Sequence, residues 1–394
     1  MDKPAEIAAI WRQAFRPFFL VGSVFSILAI ALWIGILEGL VTLSPYGGAF
    51  FWHGHEMLFG FVVAIVVGFL LTAVQNWTGL RALHGRGLIG LFVLWLAARL
   101  LMLAGLTGYQ WLVAIIDISF LPVAAGFFSN LLIRSGSSRN YQIVLLFGLL
   151  TIANTLTHGS VLFDKPGLFI WGMDAAVFVV TLLMVIMGGR VIPLFTASGT
   201  RQAQLVSLRW LEILTLASTW LITIIFVFDG AAIIPRGVVV ILLIVASVCN
   251  ALRAFRWKVW TTYAAPLVWS LHLAYWFIPI GFALLALHYA GLDISRSTAL
   301  HSLTAGAMGS LILAMIARVS LGHTGRPLLI RPIVSAAFIF IILAGITRIL
   351  AGLYPATGFS GLIVAAVCWV LAYGIFTIVY FSVLTTPRAD GKPG

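Results

Sequence analysis

The sequence predicts an all-α fold, a polytopic membrane helix bundle of about twelve transmembrane helices. Two features of composition carry this. Of the 394 residues 62% are hydrophobic and only 9% are charged, with a mean hydropathy of +1.12. A soluble chain of this size cannot hide so much apolar surface, so lipid must take the place of water. The third feature is the length of the apolar runs, about 20 residues each, which matches a helix crossing the hydrocarbon core. A membrane barrel would instead need strands of about 10 residues with apolar and polar positions alternating, and that alternation is missing.

The elements follow in order. The first run, 18–37, comes after a polar, partly basic segment. It is long and lacks a small-residue cleavage pattern, so it reads as a retained helix and not a removed signal. Further runs fall at 52–74, 87–106, 110–133, 141–162, 168–188, 209–228, 231–252, 264–288, 298–320, 332–352 and 359–384. Boundaries drawn this way hold to within about 4 residues. The connections are short, which predicts a single transmembrane domain over 1–394.

Orientation follows from the cations. Lys3, Arg12, Arg16, Arg81, Arg86, Arg134, Arg139, Arg201, Arg209, Arg253, Arg256, Lys258, Arg326, Arg331, Arg388 and Lys392 fall on the N-terminal side. Lys165, Arg236 and Arg296 fall on the other. The positive-inside rule then predicts a multi-pass protein with both termini cytoplasmic. The net charge of +12 is explained by that topology and by attraction to anionic membrane lipid, so no nucleic-acid partner is expected. Cys249 and Cys368 lie inside predicted spans without disulfide or thiolate-site spacing. Trp52, Trp77, Trp257 and Trp260 are expected to be interfacial anchors.

The chain also repeats internally. Gly60 and Thr78-Gly79 follow His55 at the same offsets at which Gly306 and Thr324-Gly325 follow His301. Met187, Arg190 and Thr196 match Met315, Arg318 and Thr324 at one constant shift, and Arg99 and Arg348 open similar segments. Three repeats of four helices, 11–134, 139–254 and 262–385, account for these matches.

Ionisable side chains within a membrane need a partner or a function. His53, His55, Glu56, His158, Asp174 and His301 all fall toward the predicted outer leaflet, with His272 deeper. Neutral imidazole binds haem iron and copper without carrying charge into a dry site, so the group predicts a metal or haem site. For one isolated histidine, a hydrogen bond to a neighbouring helix is the better explanation. His53 and His55 are about 200° apart on a regular helix and cannot both ligate one centre from it. Either they serve two centres, or one lies in the preceding loop. His272 and Tyr275 share a helix face, as do Asn154 and His158. The first pair suits either a metal beside a phenol or ordinary helix-to-helix bonding. Arg99 and Arg348 lie deeper, where pairing with haem propionates, pairing with Asp117 or bonding to a backbone carbonyl are the alternatives.

These residues carry a family resemblance. The segments Arg16-Pro-Phe-Phe, Trp52-His-Gly-His-Glu-Met-Leu-Phe-Gly-Phe, Gly68-Phe-Leu-Leu-Thr-Ala-Val, Asn76-Trp-Thr-Gly, His272-Leu-Ala-Tyr and Ala317-Arg-Val-Ser-Leu-Gly-His-Thr-Gly-Arg-Pro-Leu resemble the NnrS family over about 11–385. Gln75 stands where that pattern has proline. The resemblance implies a bacterial inner-membrane protein of twelve spans that contains haem and copper. It also implies a part in nitric oxide metabolism or nitrosative-stress defence. Three arcs of four helices are also similar to the catalytic subunits of haem-copper oxidases and nitric oxide reductases, whose helices 2 and 10 supply haem ligands. The adjacent helix-7 histidines of those enzymes are absent here, so any copper site must be built differently.

The expectations are therefore as follows. His55 and His301 bind haem, with Arg99 and Arg348 also contacting it. His53 and His158 serve a second haem or copper, and His272 a further metal. Glu56 and Asp174 act as catalytic proton carriers, and nitric oxide is ligand or substrate, with an oxidoreductase reaction drawing on an unidentified electron donor. A transporter of copper, haem or a small nitrogen species, or a membrane nitric oxide sensor, is the alternative.

Overall fold

The computed structural model describes residues 7–392 apart from 355 and 357. Lys3, counted in the charge bias, lies outside them. Twelve helices among the described residues are long and apolar enough to cross a membrane, and there are no strands. They are α1 Phe15–Leu37, α2 Gly48–Thr78, α3 Gly85–Ala104, α4 Gln110–Ser135, α5 Tyr141–Leu162 and α6 Pro166–Thr200. After these come α7 Arg209–Val227, α8 Arg236–Arg256, α9 Pro266–Tyr289, α10 Arg296–His323, α11 Pro332–Leu353 and α12 Gly358–Thr385. The protein is a multi-pass helical membrane protein.

Large apolar side chains face outward, among them Leu28, Val93, Leu100, Ile115, Ile152 and Ile378, while His55, Glu56, Arg99 and Asp117 are buried. That inversion suits a solvent of lipid, in which polar groups must find partners inside.

Most predicted boundaries hold, but α6 runs on to Thr200, past its predicted end at 188. Gly188-Gly189, Arg190 and Pro193 suggest a stop. The helix nevertheless carries Pro193 internally, as membrane helices do when neighbours satisfy the freed carbonyl. Arg253, predicted in a loop, lies within α8 and is only 3% exposed. Glu212 of α7 compensates it, taking bonds of 3.0 and 2.5 Å from Arg253 Nε and Nη2. Trp52 and Trp257 are buried, so they pack inside the protein and are not interfacial anchors.

The contacts divide the chain into two compact units. The first comprises Met1–Met173, Ile316–Leu328 and Phe376–Gly394, and the second Asp174–Met315 and Leu329–Ile375. In the first, Thr72 Oγ1 of α2 accepts the backbone N–H of Phe15 at 3.0 Å and donates to Gly68 O at 2.8 Å, which caps α1. In the second, Tyr275 of α9 donates to Asn250 Oδ1 of α8 at 2.6 Å. Arg253 Nη1 donates to Val185 O of α6 at 3.0 Å and to the Tyr275 hydroxyl at 3.3 Å, so with Glu212 of α7 four helices are tied through one guanidinium.

Each unit also contains a π-helical stretch. One spans Glu56–Val62, immediately after His55, and the other Ser302–Met308, immediately after His301. Gly79 and Gly325, at φ +69° and +67°, follow Thr78 and Thr324 in the left-handed conformation that favours glycine. The sequence offsets that relate His55 to His301 are thus matched by local backbone conformation.

Candidate metal centre

The site lies in the first unit, where α1, α3 and α5 end and α2 and α4 begin. His55 of α2, Arg99 of α3, Asp117 of α4, and Asn154 and His158 of α5 meet there. Tyr46 joins them from the α1–α2 connection, its N–H donating to Met102 O at 2.9 Å. His55, Glu56 and His158 are 0% exposed, Asn154 2%, Asp117 3% and Arg99 4%.

Both imidazoles turn Nε2 toward the same carboxylate oxygen. His55 Nε2 is 3.2 Å and His158 Nε2 3.0 Å from Asp117 Oδ2. Their Nδ1 atoms are held from behind. His55 Nδ1 faces Glu56 Oε1 at 3.0 Å, and His158 Nδ1 faces the Tyr46 hydroxyl at 3.1 Å. Asn154 fixes the middle, with Oδ1 at 2.9 Å from His55 Nε2 and Nδ2 donating to Asp117 Oδ2 at 2.8 Å. Arg99 ties the two acids together, donating from Nη1 to Glu56 Oε1 at 2.7 Å and pairing through Nη2 with Asp117 Oδ1. His55, Asp117 and His158 are the one grouping of three or more His, Cys, Asp or Glu ligand atoms within 4.8 Å of one another among the described residues.

Two carboxylates against one guanidinium leave an excess negative charge in a dry site, and Glu56 Oε2 is buried without a hydrogen-bond partner. Aromatic rings wall the imidazoles. Phe51 stacks on His55 at 5.5 Å, and Tyr46 packs against His158 at 5.3 Å. Ala29, Trp52, Met102 and Val113 complete this apolar layer with them. Tyr46 lies outside the spans, and burial pushes its phenol pKa up, so it stays a neutral hydroxyl.

The π-helical stretch begins with Glu56 itself. A π turn admits one residue more than an α turn and is common at functional sites. Gly60, within it, allows the close approach of α3: a Cβ there would meet Arg99 Nη1 at 2.5 Å and Phe25 at 2.8 Å. Trp95 Nε1 donates to Gly60 O at 2.8 Å alongside.

The other expected site residues lie elsewhere. His53 stacks on Trp33 at 4.3 Å and 9°, as its angular offset from His55 requires. Asp174, His272, His301 and Arg348 belong to the second unit. There Asp174 pairs with Arg296, and His272 Nε2 lies 2.8 Å from Thr196 Oγ1. The Tyr275 hydroxyl is committed to Asn250 and Arg253, not to a metal beside His272. His301 Nδ1 meets Ser297 O at 2.7 Å, with Arg348 Nη2 at 3.2 Å from the same nitrogen.

Asp117 stands out in the sequence only as a costly intramembrane acid, and Asn154 only as the helical neighbour of His158. Tyr46 gives no such signal. Over nearly the whole chain, residues 9–388, the family model described as NnrS protein matches. The chain belongs to the NnrS family. A comparison with curated proteins found no match. In this NnrS chain the segment 52–62 supplies His55, Glu56 and the π-helical stretch in one continuous run.

Proposed function

We propose that this NnrS-family chain binds a copper ion through His55, His158 and Asp117, and that it acts in nitric oxide metabolism or nitrosative-stress defence in the bacterial inner membrane. The observation that carries this is the convergence of two Nε2 atoms on Asp117 Oδ2, with each Nδ1 held by a second group. Metal-ligating histidines are oriented in that way by carboxylates and hydroxyls. Ligand atoms each about 2 Å from one ion lie about 3 Å apart, close to the 3.2 and 3.0 Å found here. Two imidazoles and a carboxylate suit a first-row transition metal, and a cation balances the excess negative charge.

A porphyrin fits His55 poorly, because Asn154 and Asp117 occupy the space in front of its Nε2 where the flat ring would stand. The donors that suit haem are in the second unit. We assign the haem to His301 there, whose Nδ1 lies 2.7 Å from Ser297 O and 3.2 Å from Arg348 Nη2, with Arg348 as the group for a propionate.

When bound, copper supplies one-electron chemistry and a coordination position for a small molecule such as nitric oxide. The chain's own groups handle the rest. Glu56 Oε1 fixes His55 and Arg99, its second oxygen stands ready to take or give a proton, and the aromatic layer excludes water. Asp174, paired with Arg296 in the second unit, is assigned as a second proton carrier.

The test is metal and haem analysis of protein purified in detergent after expression with both supplied, with spectra before and after nitric oxide. About one copper per chain, lost in His158→Ala, is expected, as is haem lost in His301→Ala. Full copper content in His158→Ala and Asp117→Asn sinks the assignment. A chain carrying neither metal would turn the same histidines toward transport.

A further inference from the structure

Two arginines outside the metal centre converge where α1 starts and α10 and α12 end, all within the first unit. Both sit in segments singled out in the sequence, Arg16-Pro-Phe-Phe and the Gly325-Arg326-Pro-Leu end of the α10 motif. Arg16 is 0% exposed. Its Nη1 donates to Leu384 O at 3.0 Å and to Thr386 O at 2.7 Å, but its Nε and Nη2 are buried with no acceptor. Arg326 is half-buried and donates from Nη2 to Thr386 Oγ1 at 2.8 Å, while its Nη1 is buried with no acceptor. One residue, Thr386, therefore holds both guanidinium groups.

The charges that act on Arg16 are Arg326, Arg12 and Arg388, all of like sign. Asp390, the acid nearby, lies over Gly325 and is engaged by Arg388 Nε and Nη2 at 2.8 and 2.5 Å. No carboxylate pairs with Arg16 or Arg326 among the described residues.

A buried guanidinium with unmet donors is an expensive arrangement unless an anion completes it. Three donors on two planar forks match a group with several acceptor oxygens better than a point anion. The charge bias assigns this end of the helices to the cytoplasmic face, where anionic headgroups gather and basic pockets between helices bind them.

We propose that Arg16 and Arg326 form a binding site for a phosphate-type oxyanion, supplied either by an anionic phospholipid headgroup or by free phosphate. Half-buried Arg326 forms the entry side and Arg16 the floor. The site shares no residue with the metal centre.

The test uses the full chain, delipidated in a neutral detergent, with thermal unfolding followed at constant ionic strength. The additions are inorganic phosphate, short-chain phosphatidylglycerol, short-chain phosphatidylcholine and chloride. Phospholipid retained through purification is counted by native mass spectrometry. Stabilisation by phosphate or phosphatidylglycerol beyond chloride supports the site. Arg326→Gln should shift the half-saturating concentration about tenfold, the loss of one charge-assisted hydrogen bond, with copper content unchanged. A response to phosphatidylglycerol alone assigns the lipid as source, and a response to phosphate alone assigns the free ion. Arg16→Gln should abolish the response; if it does not fold, half-buried Arg326→Gln decides. Equal responses in wild type and Arg326→Gln overturn the proposal. So does an absence of response beyond chloride with no more phospholipid retained by wild type than by the variant.

Discussion

Asp117 is the acceptor that both imidazoles, Asn154 and Arg99 share, so its substitution has consequences beyond one ligand. Asp117→Asn leaves Arg99 with Glu56 alone, and breaking a buried pair in this way costs about 3–5 kcal/mol. Copper content at background and a lowered melting temperature are the expected results, checked by metal analysis and a thermal melt. Tyr46→Phe makes a finer cut. It removes only the hydroxyl behind His158 Nδ1, and losing such an outer partner weakens metal binding about 10–100-fold. Because burial raises the Tyr46 pKa, the phenol keeps its proton well above neutrality. The wild-type to variant affinity ratio should therefore be the same at pH 6 and pH 8 by competition titration. The sequence marks His55, Glu56, Arg99, Asp117 and His158 because each is costly in lipid. It does not mark their pairing, since nothing in a helix's own periodicity says which neighbour meets it. Asp117 was one of several alternatives open to Arg99 and Arg348, and in the structure Arg99 takes both Asp117 and Glu56.

The membrane helices were legible because a run of apolar residues of bilayer length has few other outcomes. The π-helical stretch in α2 was not legible. Glu56–Val62 has the composition of ordinary membrane helix, and the close approach of Arg99 and Phe25 to Gly60 within it leaves no mark in the sequence. Gly60→Ala should push Arg99 off its carboxylates and cost about 1–3 kcal/mol, the usual range for overpacking. Gly90→Ala in α3, where a Cβ meets nothing within 4 Å, is the control and should be neutral. Paired thermal melts of the two variants check this. Inserting an alanine after Leu58 would add a residue beyond the one the π turn already admits and rotate His55 by about 100° relative to the rest of α2. The expected outcome is a chain that still inserts and holds no copper, read by membrane fractionation and metal analysis. α6 misled the sequence reading for a related reason: its glycines and Pro193 have the look of a terminus, and only neighbouring helices show that the helix continues.

Across the whole molecule, the charge bias predicts a topology that can be checked directly. With Cys249 and Cys368 replaced by alanine, a membrane-impermeant maleimide should label Ala232→Cys in intact cells, and Ser207→Cys only after permeabilisation. The reverse pattern would turn the protein over and place the metal centre on the cytoplasmic side. The offsets that relate His55 to His301 were legible in the sequence, and a π-helical stretch follows each histidine. What the offsets did not convey is how differently the two histidines are surrounded, His55 by Asp117 and His158, His301 by Arg348 and Ser297. The 35 residues of α6 bear on the surrounding medium too. At 1.5 Å per residue such a helix is about 52 Å long, while the hydrocarbon layer is about 30 Å thick. It must lean or stand proud into the headgroup region, so membranes of short and long acyl chains will load it differently. The choice of lipid for reconstitution thereby becomes an experimental variable in its own right.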